Sequence, residues 1–235
     1  MTRKVAPPLH VLPLCAGDCL PAKGKGSCSK GFRLMIAIID YGMGNLRSVN
    51  NAFGKIGLKS EVTSDPARVA QATHIVLPGV GAFSDCMEQL RKTGLVPSII
   101  EGIRGGKPFL GICLGFQLLM TRSEEFGIHQ GLDIIRGEVK RFPAGGPKVP
   151  HIGWNQVEYR EDCPLFAGIS QGAYFYFDHS YFVLPEKTSD VASWTDYCLR
   201  FASSIWRGNV FATQFHPEKS QSVGLKLLEN FGAQH

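Results

Sequence analysis

The residue best placed to do chemistry in this 235-residue chain is Cys113. It lies between Gly111 and Gly115, where a short apolar strand is predicted to run directly into an apolar helix over residues 114–120. Such a tight turn lifts a side chain out of the sheet, and the glycines let the neighbouring backbone pass close beneath it. The predicted helix points unpaired N–H groups and the positive end of its dipole at the sulfur, which favours thiolate. Cys113 is therefore a candidate nucleophile, although a buried cysteine acting as a small hydrophobe fits the same pattern.

A nucleophilic cysteine needs a base, and the base needs an orienting group. His216 and Glu218 lie two residues apart just after a predicted strand, so in an extended backbone their side chains leave the same face. Glu218 can then hydrogen-bond one imidazole nitrogen while the other faces the thiol. His151 and His179 lie in polar segments between apolar runs and remain open alternatives. The other histidines lie in the termini, at the start of a strand or in a loop: His10, His74, His129 and His235.

Acyl transfer also needs hydrogen-bond donors for an oxyanion. One candidate is the N–H of Leu114, the residue after the nucleophile, and another is an N–H of the Gly79-Val80-Gly81 turn. Gln117, one helical turn beyond Cys113, either reaches into the same cavity or lies on the surface. Spacing alone gives these two interpretations equal weight.

The elements that must position these residues divide the chain into two patterns. From Met35 to Cys113, apolar strands alternate with helical segments, which is typical of a mostly parallel α/β sheet flanked by helices. Ligands of such sheets bind beyond the carboxyl ends of the strands, and Asn45, the Pro78–Gly81 turn and Cys113 all fall at that edge. From Gly131 onward, short strands separated by glycine and proline predict an added antiparallel β region. A final helix over 223–231 follows Ser220 as its N-cap.

The first 34 residues differ in charge and composition from the rest. Of the 25 basic and 20 acidic residues, 6 and 1 fall in residues 1–34, which leaves 19 of each from Met35 onward. The neutral part gives no indication of nucleic acid or membrane binding. Because proline and glycine interrupt residues 1–34, we predict a disordered extension or a start codon assigned too far upstream, and residues 35–235 as a single domain. A transit peptide and a metal or redox tail using Cys15, Cys19 and Cys28 are the alternatives.

Seven cysteines, scattered and odd in number, do not suggest a disulfide framework. No apolar run approaches the length that spans a bilayer. We therefore expect a reducing, cytoplasmic compartment, in which a free thiolate is sustainable. No metal or cofactor is expected, since no set of ligands with suitable spacing is complete.

These motifs resemble those of the class I (triad-type) glutamine amidotransferases, and more narrowly those of the glutaminase subunits of imidazole glycerol phosphate synthases. The class-level motifs are L-G-I-C-L-G-F-Q at 110–117 and Q-F-H-P-E at 214–218, and the subfamily motifs lie at 39–46, 77–83, 148–155 and 216–220. The resemblance runs from Met35 to the C terminus. Phe116 stands where methionine is more usual, and Asp178 stands where a small apolar residue is common.

The resemblance implies that this chain hydrolyses glutamine to glutamate and ammonia through a glutamyl thioester on Cys113. His216 would carry the proton from the thiol to the leaving ammonia, and Glu218 would orient His216. The implied site comprises the catalytic residues Cys113, His216 and Glu218, the oxyanion-binding residues Gly79, Val80 and Leu114, and the glutamine-binding residues Gly81, Gln117, His179, Ser180 and Tyr181.

The resemblance also implies a partner, because the family passes ammonia through a channel to a cyclase subunit with a (β/α)8 barrel. The heterodimer forms imidazole glycerol phosphate and AICAR in histidine biosynthesis. Asn45, Pro150, Trp154 and Lys219 match positions at or near that interface, although Trp154 also fits a core aromatic. Three alternatives remain open: a glutaminase subunit of another synthase, a non-catalytic partner subunit with the same fold, and a stand-alone cysteine peptidase.

Overall fold

The computed structural model describes residues 34–235, so the predictions for the N-terminal segment lie outside the described residues except at Leu34. The helices and strands follow in the order β1 (Ile36–Ile39), α1 (Leu46–Lys55), β2 (Ser60–Thr63), α2 (Pro66–Gln71), β3 (His74–Gly79), α3 (Phe83–Lys92), α4 (Val96–Arg104), β4 (Phe109–Cys113), α5 (Leu114–Gln117), β5 (Arg122–Ser123), β6 (His129–Gln130), β7 (Gly137–Arg141), β8 (His151–Tyr159), β9 (Ala173–His179), β10 (Tyr181–Pro185), β11 (Val191–Asp196), β12 (Arg200–Arg207), β13 (Val210–Thr213) and α6 (Gln221–Gly232).

Five strands form a parallel sheet in the order β2-β1-β3-β4-β13. The strands β1, β3, β4 and β13 are buried along their whole length, as expected for a parallel sheet covered on both faces. Their alternate side chains fall into two apolar clusters, one shared with α2, α3 and α4 and the other with α1 and α6. This confirms the predicted α/β arrangement.

The remaining strands are mainly antiparallel and extend the sheet from β13 through β12, β10 and β7 to the short β5–β6 pair. A branch runs from β12 through β11 to β8 and β9, and β8 and β9 pair in antiparallel register with His151 opposite His179. Seven of the β segments predicted after Gly131 correspond to β7 through β13 with shifted ends. The predicted antiparallel β region is therefore confirmed.

The predicted helix after Cys113 differs from the structure. The helix after Cys113 ends at Gln117 instead of continuing to residue 120, because the N–H groups of Leu119 and Met120 bond to carbonyl groups only three residues back and that of Thr121 bonds to Gly137. A single turn aligns few peptide dipoles, so the predicted dipole effect on Cys113 reduces to the local N–H groups. Between α3 and α4 the chain leaves the helical conformation only at residues 93–95. Pro97 belongs to the first turn of α4, where a missing N–H costs no helical bond.

Within residues 34–235 no helix has both the length and the apolar character needed to cross a membrane. The four cysteines of this part, Cys86, Cys113, Cys163 and Cys198, are free thiols.

Candidate active site

Cys113 lies at a strained turn between β4 and α5. Its φ of 54° and ψ of −108° are rare for a residue with a side chain. Such a strained conformation persists only where the surrounding packing enforces it. The enforcing contact is Gly115, because a Cβ atom there would lie 1.8 Å from the carbonyl oxygen of Leu77 on β3. The glycines thus let the turn pass close over the sheet, as the sequence predicted.

His216 follows β13 and its imidazole Nδ1 lies 2.8 Å from Oε1 of Glu218. The predicted pairing is present, but the extended backbone that was expected to produce it is not. Pro217–Lys219 forms a 3-10 turn that brings the Glu218 carboxylate back to the ring. The two side chains are only 4% and 1% exposed, so the contact is shielded from water.

The charge of this pair is set by its neighbours. Burial lowers the pKa of His216, but the adjacent Cys113 sulfur and the Glu218 carboxylate together outweigh burial and raise it to about 10. With Nδ1 engaged by Glu218, Nε2 is the nitrogen that remains for a proton exchanged with the thiol.

Ser220 anchors the His216 turn to the neighbouring strand. Its hydroxyl donates to the His216 carbonyl over 2.6 Å and accepts from the Tyr176 N–H of β9 over 3.0 Å. Ser220 occupies the N-cap position of α6 as predicted, but it makes no side-chain capping bond to that helix. The predicted cap is therefore wrong in function, because the hydroxyl is used to join β9 to the site.

Two further groups contact the sulfur of Cys113. The side-chain amide of Gln214 donates from Nε2 over 3.7 Å, and the thiol can donate to the carbonyl oxygen of Asp178 over 3.9 Å. Sequence reasoning gave Gln214 no role, although it lies in the motif that contains His216. Asp178 contributes its backbone here, while its carboxylate lies 3.8 Å from the ammonium of Lys219.

The turn at the end of β3 lies directly beside Cys113, which pairs with Gly79 in the strand register. Tyr41 donates from its hydroxyl to the Pro78 carbonyl over 2.9 Å, and the Cys86 thiol donates to the Val80 carbonyl over 3.4 Å. Within residues 34–235 the N–H of Val80 has no hydrogen-bond acceptor. The peptides on either side are thus held by side chains, and the Val80 N–H is available to a bound anion.

Cys113 and His216 open into a cavity of about 440 Å³, a size suited to a small metabolite. The predicted site residues in its wall are Val80, Gly81, Cys113, Leu114, Gln117, His179, Ser180, Tyr181 and His216, together with Pro150 and Lys219. Gly79 and Glu218 lie behind this wall, while Asn45 and Trp154 lie outside it. Gln117 is buried, which excludes the surface interpretation.

Two charged residues of the cavity wall, Glu125 and Arg141, had no predicted role. Glu125 is buried and accepts the Phe83 N–H over 2.6 Å, and burial raises the pKa of its carboxyl. Arg141 at the mouth forms no ion pair with a described carboxylate. Glu125 lies in the turn after β5 and Arg141 at the end of β7, and no local pattern links either to Cys113. No group of three or more metal-binding side chains occurs among the described residues.

Three of the four residues predicted for a partner interface, Pro150, Trp154 and Lys219, lie on or beside the β8–β9 pair. Trp154 is 45% exposed and packs edge-on against Tyr176, so it is not a core aromatic. The Lys219 ammonium lies 5.3 Å from the centre of the Tyr176 ring. Asn45 is exposed and caps α1 by accepting from the Ser48 N–H.

Comparison with known proteins gives consistent results. The model of the family "Glutamine amidotransferase class-I" matches residues 37–234. The imidazole glycerol phosphate synthase subunit HisH of Syntrophotalea carbinolica is 58% identical over 204 residues, covering 84% of this chain and 99% of that protein. The subunit HisH of Geobacter sulfurreducens is 54% identical and covers 84% and 97%. That of Aquifex aeolicus is 54% identical and covers 83% and 94%.

Solved structures share the fold at much lower identity. A chain in the structure of PurLQS from Thermotoga maritima superposes with a TM-score of 0.67 at 16% identity, covering 85% of this chain and 97% of that one. A glutamine amidotransferase from the same organism gives a TM-score of 0.59 at 17% identity, covering 85% and 82%. The family match and the close relatives together show that the chain belongs to the class-I glutamine amidotransferases, among the HisH subunits of imidazole glycerol phosphate synthase.

Proposed function

We propose that this chain hydrolyses glutamine to glutamate and ammonia as the glutaminase subunit of an imidazole glycerol phosphate synthase. The observation that carries the proposal is the strained turn that presents Cys113 to the buried His216–Glu218 pair at the wall of the cavity. A cysteine, a base and an orienting carboxylate in this relation are the parts of an acyl-transfer site. The family name supports glutamine as the substrate, and the names of the close relatives support the synthase.

In the first half of the reaction, Nε2 of His216 takes the thiol proton and the Cys113 sulfur attacks the side-chain amide carbon of glutamine. The negative charge that develops on the amide oxygen is bound by the N–H groups of Val80 and Leu114. The intermediate collapses to a glutamyl thioester and expels ammonia, which receives its proton from His216. Glu218 holds the ring in the orientation that both transfers require.

In the second half, a water molecule gives a proton to His216 and attacks the thioester carbon. Glutamate leaves, and the sulfur recovers its proton from His216. The donor contact from Gln214 to the sulfur stabilises the thiolate that forms in each half of the cycle.

The cavity offers partners for the charged end of glutamine. The carboxylate of Glu125 suits the α-ammonium group, and the guanidinium of Arg141, which pairs with no carboxylate of residues 34–235, suits the α-carboxylate. Gly81, Gln117 and residues 179–181 form other parts of the cavity wall that can contact the rest of the glutamine molecule. The position of both charges at one site favours a free amino acid over a peptide, since peptide bonds would remove them.

We assign the ammonia to a cyclase subunit with a (β/α)8 barrel, bound as a heterodimer in the cytoplasm, whose product-forming lyase step completes the synthase. Asn45, Pro150, Trp154 and Lys219 form the proposed contact. Half-exposed Trp154 supports this assignment, because large aromatic side chains are enriched where proteins associate. Residues 35–235 act as one domain, and no metal or cofactor takes part.

The experiment measures glutamate release from glutamine by the chain mixed with its cyclase subunit and the cyclase nucleotide substrate. Cys113→Ala should abolish release and leave complex formation intact. Cys163→Ala, which alters a buried cysteine outside the cavity, should release glutamate like the unaltered chain. Release that survives Cys113→Ala contradicts the proposal, and release from peptides without the partner favours a peptidase.

A further inference from the structure

Two buried histidines, one of which lies in the cavity wall, take no part in the proton transfers of the proposed reaction. His151 and His179 are 3% and 6% exposed and face each other across the β8–β9 register, with Nδ1 of His151 3.0 Å from Nε2 of His179. The His151 ring stacks on Phe177 and Tyr197. Such packing fixes both rings in one orientation.

The direction of every hydrogen bond in this region follows from one carbonyl group. The Tyr181 carbonyl can only accept, so Nδ1 of His179, at 2.8 Å, carries a proton. A neutral His179 then accepts at Nε2, and Nδ1 of His151 must donate to it. Nε2 of His151 accepts in turn from the Asn155 amide over 3.3 Å. Asn155 also donates to the Asp196 carbonyl over 2.9 Å and accepts the Gln156 N–H, which fixes its own amide.

The same carbonyl connects the histidines to the cavity. Nε2 of Gln117 donates to the Tyr181 oxygen over 3.0 Å and to Oε1 of Gln214 over 3.2 Å. Both amide protons of Gln117 are thereby used, so its oxygen is the group it can offer to a molecule in the cavity. Gln214, with its oxygen engaged, directs its amide N–H groups to the Cys113 sulfur.

The buried surroundings keep both histidines neutral. Burial lowers the pKa of His151 to about 4. Burial also lowers the pKa of His179 to about 3, although its bond to the Tyr181 carbonyl opposes the change. Because both rings are neutral and their tautomers are fixed, the bonds share one donor direction from Asn155 through both histidines to the Tyr181 carbonyl. That carbonyl also accepts from Gln117.

We propose that the hydrogen-bonded series Asn155, His151 and His179 positions the Tyr181 carbonyl, and through it the amide of Gln117, for binding of glutamine. The inference rests on the proposed glutaminase function. In this role the two histidines are positioning residues that act through Gln117 and do not touch the reacting atoms.

Amide isosteres provide the test, because asparagine places an N–H where histidine has Nδ1 and glutamine places one where histidine has Nε2. His151→Asn keeps the donor toward His179 and should leave the KM for glutamine within about twofold of the unaltered chain. His151→Gln loses that donor and should raise KM about tenfold, the effect of one net hydrogen bond, with kcat changed less than KM. His179→Asn and His179→Gln should show the same contrast at the next link.

A double-mutant cycle separates positioning from general damage to the fold. In a Gln117→Leu background the end of the series is absent, so His151→Gln should raise KM no further. Thermal melting identifies the variants that fold. If the His151 variants do not fold, the asparagine and glutamine variants of His179 provide the same comparison. Equal KM values for the asparagine and glutamine variants, or additive effects in the Gln117→Leu background, would overturn the proposal. Glutamate release by Cys113→Ala would instead overturn the glutaminase function, whatever the histidine variants show.

Discussion

The parallel and antiparallel halves of this molecule hold their functional side chains in different ways. In the parallel half, Cys113 is held by backbone packing, with Gly115 pressed against the Leu77 carbonyl. In the antiparallel half, His151 and His179 are held by side-chain hydrogen bonds and aromatic stacking. His216 lies between the two, since it follows the parallel strand β13 and is tied to β9 through Ser220. The position of Cys113 therefore depends on the missing side chain at Gly115. The positions of His151 and His179 depend on the direction of their hydrogen bonds and on their protonation state.

The largest expected effect comes from adding volume to the parallel half. Gly115→Ala places a methyl group inside the Leu77 carbonyl and should lower the free energy of unfolding by more than about 3 kcal/mol or prevent folding. Gly54→Ala in α1 is the matched control, since its Cβ meets nothing within 4 Å. That change should raise the free energy of unfolding by about 0.5–1 kcal/mol. Urea denaturation of both variants measures the contrast, which fails if Gly115→Ala is as stable as the unaltered chain.

The His216–Glu218 pair lies at the junction between the two halves, and its role is tested by a substitution that removes the charge of Glu218 with little change of shape. Glu218→Gln should lower kcat/KM for glutamine by about 10²–10⁴-fold, because the neutral amide neither fixes the His216 tautomer nor stabilises its protonated form. Glu229→Gln on the exposed side of α6 should leave the rate unchanged. Steady-state glutaminase assays with the cyclase subunit compare them. A Glu218→Gln rate within threefold of the control would remove Glu218 from the mechanism.

Protonation should affect the two regions with opposite sign. The pKa of His216 is raised from about 6.5 in an unfolded chain to about 10, so its contribution to stability is present below pH 6.5 and is lost as pH rises through 10. The pKa of His151 is lowered to about 4, so stability falls as pH falls from about 6.5 toward 4. Melting temperatures across this range should show both losses, and His216→Gln should flatten only the alkaline one. An unchanged alkaline slope in that variant contradicts the assignment.

The smallest effect on the isolated chain is expected on the outer face of the β8–β9 pair. Trp154→Ala should change the free energy of unfolding by about 0.5–1 kcal/mol, because the side chain is half exposed, yet weaken binding of the cyclase subunit more than tenfold. Leu184→Ala on β10 removes another exposed apolar side chain and should leave binding unchanged. Calorimetric titration with the cyclase subunit decides, and equal affinities for the two variants would exclude Trp154 from the interface.

The same contrast explains which parts of the fold the sequence predicts. The strands and helices between Met35 and Cys113 arise from local apolar periodicity and caps, and their alternation was predicted from the sequence. The helix after Cys113 was predicted too long, because the N–H of Thr121 bonds to Gly137 and the segment at 118–120 bonds to residues 132–135. No pattern within a single segment reports such long-range bonds.

The candidate site also contains residues that local spacing predicts and contacts that it does not predict. Cys113, His216 and Glu218 were proposed from their local spacing, and the structure brings them together. The His151–His179 contact, the bond from Gln214 to the sulfur and the place of Glu125 depend on strand register or on loops far apart in sequence. Spacing left His151 and His179 as alternative bases, whereas their fixed hydrogen bonds leave neither free to serve Cys113.

The central claim is that Cys113 forms a covalent glutamyl intermediate, and it is tested most directly by mass spectrometry of the complex. The chain, bound to its cyclase subunit and the nucleotide substrate, is quenched with acid during turnover of glutamine and digested. One glutamyl group on the peptide that contains Cys113, absent when glutamine is omitted, is the predicted result. Turnover of glutamine with no modification of this peptide, or with the glutamyl group on another residue, would contradict the account.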